Sequence, residues 1–267
     1  MTYFSFEQIF ESFNYPAGES HVSMKTNIDM GQSPVIEAKA TGFDELCRIV
    51  TANRILEHNH IHATWFIPYF PFARHDRRID RFDGVELHLA MELMSPLNLM
   101  IADPHSDVVG KLPNIPQHVA VKCFQEHGAF DEKPIVIIPD AGAAKKTYAW
   151  SKGFEVVQAL KTRDPKTGKL SGFKVPHADF KGRPCVLIDD ICDGGGTFLG
   201  LAQELAKSNA GPLTLGVTHG LFTKGLDSLS TAFHKIFTFD YQSPKLSPRK
   251  GLSTIAYKTL YSKGTYV

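Results

Sequence analysis

The chain has 267 residues, 43% apolar and 21% charged, with 29 Lys and Arg against 28 Asp and Glu for a formal net charge of +1. A mixture of this kind and length buries a core without staples, which excludes disordered, collagen-like and coiled-coil classes and leaves one large domain or two small ones. A nucleic-acid binder would carry a basic excess or a basic stripe; neither occurs, so no nucleic-acid partner is expected.

From the N-terminus, the first residues lack the basic and continuous apolar regions of a signal peptide, and no apolar run reaches 18 residues. A cytoplasmic chain without a membrane partner is therefore expected. Helix-like periodicity spans residues 43–57. His58, His60 and His62 follow at alternating positions. On a strand they would share one face, as a metal site requires; the plainer reading is a polar loop entering the next strand. That strand, 64–70, runs into Ala73, Arg74, His75 and Asp76. The run 97–102 leads into Asp103, Pro104 and His105, and the run 135–138 into Asp140 and Gly142 before a helix-like stretch at 143–151. Residues 161–174 are charged and poor in apolar side chains, and read as a mobile loop. The run 185–188 leads into Asp189 and Asp190, a helix-like stretch covers 197–208, and the run 213–217 leads into Thr218, His219 and Gly220. Residues 243–251 again read as loop.

Short β-branched runs without alternation suit strands covered on both faces, and their exchange with helices predicts an α/β fold with mostly parallel sheets. In such folds ligands gather at the carboxyl ends of strands, where all five polar clusters fall. The polar stretch 124–133 suggests a division into domains 1–125 and 126–267. Cys47, Cys123, Cys185 and Cys192 form no CxxC pair, so a zinc or dithiol site is unsupported, and a reducing compartment is the simplest setting.

The sharpest signal is residues 186–197, VLIDDICDGGGT. An apolar strand delivers two carboxylates, Asp189 and Asp190. Three glycines, Gly194, Gly195 and Gly196, then let backbone N–H groups approach a ligand, and Thr197 is expected to cap the helix that follows. The acid pair suits the two hydroxyls of a ribose, or water on a magnesium ion, and the loop suits a phosphate.

This segment resembles the ribose-phosphate signature of the phosphoribosyl pyrophosphate synthetases and the phosphoribosyltransferases. Other segments are similar to the synthetases alone: Tyr15 to Glu19 and FIPYFPFARHDRR (66–78) resemble nucleotide-binding segments, Asp103-Pro104-His105 a magnesium–nucleotide segment, and IPDAGAAKK (138–146), Lys161-Thr162-Arg163 and VTHGLFTKG (217–225) further family segments. The resemblance implies two phosphoribosyltransferase-type, Rossmann-like domains. It implies an enzyme that moves the β,γ-diphosphate of ATP to the anomeric hydroxyl of a ribose phosphate with Mg2+. Lys161, Arg163 and His105 would be catalytic, on and beside a loop that closes over the transferring group. Tyr15, Glu19, Arg74, His75 and His105 would bind ATP. Asp189, Asp190, Asp193, Gly194, Gly195, Gly196 and Thr197 would bind the acceptor ribose phosphate. His105 and Asp140 would hold the metal.

Two departures from the family pattern bear on function. Gly194 stands where the family has Thr, which removes a hydroxyl donor and opens space beside the phosphate; ribose 5-phosphate is then joined by an extended acceptor, ADP-ribose, as an alternative. The segments that help build the family's hexamer and regulatory site are reduced, so a smaller homo-oligomer, a dimer or larger, is expected. A non-catalytic, synthetase-associated regulatory subunit is a further alternative, against which the presence of Lys161, Arg163, His105 and Asp140 argues.

Overall fold

The computed structural model describes residues 2–264 except 27, 32, 77, 79, 80, 82, 83, 164–169, 177, 178 and 241–249, and gives the backbone alone at 161–163, 170 and 171. The chain divides into two compact units, Met1–Pro116 with Gly264–Val267, and Gln117–Lys263.

The first unit contains β1 (Tyr3–Ser5), α1 (Phe6–Ile9), β2 (Phe10–Asn14), β3 (Ser20–Met24), β4 (Val35–Glu37), α2 (Phe43–His58), β5 (Thr64–Phe66), α3 (Glu86–Met94), β6 (Leu99–Ala102) and β7 (Asn114–Ile115). Five strands form a parallel sheet in the order β1-β4-β5-β6-β7. Helix α2 buries Leu46, Ile49, Ala52, Asn53 and Leu56, a stripe at helical spacing. Asn53 is polar but satisfied, because its Oδ1 accepts from the buried Trp65 Nε1 at 2.9 Å. Outside the sheet, β2 and β3 pair as an antiparallel hairpin. Arg48 of α2 fastens it, donating to Asn14 Oδ1 at 2.7 Å and Ser20 Oγ at 3.3 Å.

The second unit contains α4 (Gln117–Glu126), β8 (Ile135–Ile138), α5 (Ala141–Trp150), β9 (Val156–Gln158), β10 (Leu160–Arg163), β11 (Leu170–Lys174), β12 (Cys185–Cys192), α6 (Gly196–Lys207), β13 (Leu213–Gly220), α7 (Asp227–Ala232), β14 (Lys235–Phe239), β15 (Leu252–Ile255) and α8 (Tyr257–Gly264). Its six-stranded sheet is parallel throughout, in the order β15-β14-β13-β12-β8-β9. All four residues of β8 and the first four of β12 are buried, as the unalternating apolar runs require. Helix α4 lies close on the sheet over Gly216, where a Cβ would meet Ile188 Cδ1 at 2.6 Å and Phe124 Cδ2 at 3.1 Å. From β8 the chain winds to β9 on one side and then returns to β12 on the other. The strand order therefore reverses between β8 and β12, the point in such sheets where ligands gather at the carboxyl ends of the strands.

Four sequence expectations are corrected. The run 64–70 pairs as a strand only to Phe66, because Pro68 has no N–H to continue the ladder. Strands β12 and β13 run beyond their apolar residues, since Ile191 still pairs with His219 and Cys192 with Gly220. Residues 161–174 are not simply loop: β10 and β11 pair antiparallel around residues 164–169, which lie outside the described residues. Thr197 does not cap α6; the cap position is Gly195, at φ 76°, a left-handed conformation glycine adopts without a Cβ penalty. Of the expected loop 243–251, only Lys250 and Gly251 lie within the described residues, and they form a turn before β15.

Candidate functional site

The reversal between β8 and β12 gathers carboxylates. Residues 185–187 of β12 pair in register with 135–137 of β8, so the chain emerging from β8 at Asp140 lies level with the acid pair of β12. Asp140 is the N-cap of α5, its Oδ1 accepting from Ala143 N–H at 3.1 Å. Asp189 Oδ1 accepts from the backbone N–H of Asp190 at 3.0 Å. Asp190 points the other way and is buried, with Oδ2 3.0 Å from Lys146 Nζ; the Lys146 side chain is 26% exposed. Burial pushes the Asp189 carboxyl well above the usual carboxylate range, and the charges of Asp190 and Asp140 push it the same way against the weaker pull of Lys146. The pair is thus unequal: one carboxylate is neutralised by a lysine, and the other is left repelled. Such a group favours a ligand that brings hydroxyl donors or a cation. Sequence reasoning missed Lys146, whose partner lies 44 residues away.

The loop after β12 is fastened from the neighbouring strand. Cys192 O accepts from the N–H groups of Leu221 and Phe222, and Asp193 O from that of Thr223. Thr223 Oγ1 donates to Asp193 Oδ1 at 2.6 Å. Gly195 and Gly196 then open α6, whose first-turn N–H groups have no partner within the helix. The space expected beside Gly194 is occupied. A Cβ there would lie 3.3 Å from Cδ and Cε of Lys224, so the lysine stem fills the volume a side chain at 194 would take. Burial pushes the Cys192 thiol up to about 12, which makes it a packing residue and not a nucleophile.

In the first unit, Arg74 and His75 follow β5 and His105 follows β6. These strands are parallel neighbours in the sheet, so the segments that carry the three residues leave from its carboxyl edge. His75 Nδ1 lies 3.2 Å from Glu86 Oε2. Tyr15 and Glu19 close the tip of the β2–β3 hairpin, Tyr15 N–H donating to Glu19 O at 2.8 Å. Tyr15 is 48% exposed and packs edge-on against Phe13, at 5.0 Å between ring centroids. Lys161 and Arg163 are on β10, with Lys161 opposite Phe173. Phe173 lies against Gly200 of α6, where a Cβ would come 2.5 Å from its ring, so the hairpin is seated on the helix that begins at the glycine loop. His105 belongs to one unit and Asp140 to the other. Among the described residues no three His, Cys, Asp or Glu side chains gather as a metal cluster. The His58, His60, His62 spacing is not a strand: His58 ends α2 and His60 turns at φ 57°.

No protein-family model matches the chain. It is 29% identical over 171 residues to the ribose-phosphate pyrophosphokinase of Hyphomonas neptunium, covering 60% of this chain and 54% of that one. The enzyme of that name from Sulfurisphaera tokodaii is 23% identical over 242 residues, 83% of this chain and 78% of that one. The chain is thus similar in sequence to ribose-phosphate pyrophosphokinases. The likeness in fold extends along the chain: the crystal structure of phosphoribosylpyrophosphate synthetase from Mycobacterium smegmatis matches 99% of this chain and 96% of that one, with a TM-score of 0.79 at 17% identity. The stretch matched by sequence spans about half the length of the Hyphomonas relative.

Proposed function

We propose that the protein is a member of the phosphoribosyl pyrophosphate synthetase superfamily and a Mg-ATP-dependent diphosphotransferase whose acceptor is ribose 5-phosphate. The anomeric oxygen of the acceptor forms a bond to the β-phosphorus of ATP. The bond from that phosphorus to the α–β bridging oxygen breaks, AMP leaves with the electron pair, and the hydroxyl proton is released. The observation that carries the reading is the unequal pair Asp189–Asp190 at the sheet's reversal, followed at once by the glycine loop. The ring hydroxyls of a ribose donate to the pair, and the 5-phosphate lies on the loop and the N–H groups of α6.

The donor set also fits Mg2+, which takes carboxylate oxygens and keeps several waters. Asp140, level with the acid pair, would hold or orient it on the acceptor unit, and His105 would act beside the nucleotide in the first unit. When bound it offsets the charge that builds on the transferring group. Arg74, His75, Tyr15 and Glu19 would hold ATP, and Lys161 and Arg163 would meet the transferring phosphates, Arg as a bidentate fork and Lys as a point charge. The assembly would be a homo-oligomer smaller than a hexamer, and a stable hexamer by light scattering would refute that. Among the described residues no helix is long and apolar enough to cross a membrane.

The deciding experiment measures AMP release from ATP and Mg2+ with ribose 5-phosphate and, in parallel, with ADP-ribose. Release with ribose 5-phosphate supports the reading. Release with ADP-ribose alone replaces the acceptor and leaves the chemistry, pointing to NAD metabolism. Release with neither favours the regulatory-subunit alternative.

A further inference from the structure

We propose that Lys224 is a specificity-determining residue of the acceptor site, its ammonium replacing a loop side chain as the group that recognises a terminal phosphate. The proposal rests on the reading above that residues 193–197 hold the acceptor phosphate. Three observations support it. The first is contact: a Cβ at Gly194 would lie 3.3 Å from Cδ and Cε of Lys224 and 3.5 Å from Cγ, so the stem runs directly across the glycine. The loop gives up a side chain at this point and receives the lysine in its place.

The second observation is how firmly the lysine is presented. It sits in a turn where Phe222 has φ 44°, a strained value for a bulky residue, and Gly225 has φ 76°. The strain is held on several sides. Phe222 is buried, Gly225 N–H donates to Phe222 O at 2.8 Å, and Thr223 is fastened to Asp193 through backbone and side chain. Gly220 is also required beneath it, since a Cβ there would come 2.2 Å from the Phe222 ring. The turn that carries Lys224 and the loop it crosses therefore form one rigid piece. The third observation is charge. Among the described residues no carboxylate pairs with the Lys224 ammonium, while the nearby Asp193 carboxylate is taken by Thr223. The ammonium is left for a ligand.

A terminal phosphate monoester carries about −1.5 to −2 charges at neutral pH, its second pKa being near 6. Each phosphate of an internal diphosphate linkage carries a single charge. An ammonium carried on a stem that crosses Gly194 therefore favours ribose 5-phosphate over ADP-ribose, the opposite preference from an opened loop.

Calorimetric titration with ribose 5-phosphate and with ADP-ribose tests this without requiring turnover, and AMP release supplies the KM-against-kcat comparison. Lys224→Met keeps the stem over Gly194 and drops the charge. Its expected effect is about a tenfold loss of ribose 5-phosphate affinity, a smaller loss for ADP-ribose, and little change in kcat or in the KM for ATP, with Lys224→Arg restoring most of the loss. Equal affinity for ribose 5-phosphate in the wild type and Lys224→Met, or equal losses for the two acceptors, would overturn the role of Lys224. Ribose 5-phosphate binding without AMP release would sink the proposed reaction while leaving the Lys224 comparison standing. Failure of the wild type to bind either acceptor would overturn both. Gly194→Thr presses on the lysine stem, so its lowered melting temperature should recover in the Gly194→Thr/Lys224→Gly double variant if the two positions share one volume; an unrecovered double variant counts against the packing.

Discussion

Asp189 and Asp190 are adjacent in sequence yet differ in electrostatic circumstance. Asp190 has Lys146 at 3.0 Å, whereas Asp189 is held well above the ordinary carboxylate range by burial and by two neighbouring acids. A raised acid binds its proton more tightly in the folded than in the unfolded chain, so stability present at low pH is lost as pH rises through the raised value. Asp189→Asn should therefore increase the melting temperature at pH 7, by about 2–4 °C for each kcal/mol recovered. The gain should disappear near pH 4, where the unfolded carboxyl also protonates. The same variant should lose at least tenfold in acceptor-dependent AMP release, so scanning calorimetry and turnover would move in opposite directions. An Asp189→Asn protein less stable than wild type at pH 7 would contradict this account. Lys146→Ala should act the other way, leaving Asp190 buried without its cation. The expected loss is about 1–3 kcal/mol in urea unfolding, below that of a fully buried pair because Lys146 is partly exposed. Lys146→Arg should recover most of it.

At the scale of elements, Asp140 serves α5 as a cap and the acidic site as a charge, and these duties can be separated. Asn caps a helix as well as Asp does. Asp140→Asn should hold stability within about 0.5 kcal/mol while lowering turnover, whereas Asp140→Ala should lose about 1 kcal/mol as well. Thermal unfolding read beside AMP release distinguishes the two; equal stability in both variants would mean that the bond to Ala143 N–H contributes nothing. The elements legible in the chain were those that carry their own apolar pattern. The runs at 135–138, 185–188 and 213–217 form β8, β12 and β13, and the periodic stretches form α2, α5 and α6. Strands β10 and β11 stayed hidden because they pair outside the sheet, with charged and small residues that read as loop. The acid pair and glycine loop were legible because they are contiguous in the chain. Lys146 and Lys224 were not, because each meets its partner only after β12 is laid beside β8 and β13.

Over the whole molecule, each unit combines a parallel sheet with one antiparallel hairpin set apart from it. The β2–β3 hairpin carries Tyr15 and Glu19, and β10 carries Lys161 and Arg163. If Lys161 meets the transferring phosphates as proposed, Lys161→Ala should reduce turnover by at least a hundredfold, while ATP binding by calorimetry stays within about twofold. Wild-type turnover in that variant would remove Lys161 from the chemistry. Since Lys161 is paired across the hairpin with Phe173, and Phe173 is lodged against Gly200, a Gly200→Val substitution should reach the same chemistry from the far side of α6. Among the described residues the arm makes no ladder hydrogen bond with the sheet of its unit. It is in effect a detachable tool, mounted at one notch on a helix and replaceable as a cassette. An arm grafted from a relative would need to bring a ring that fits the notch, and the parallel sheet beneath would be left as it is.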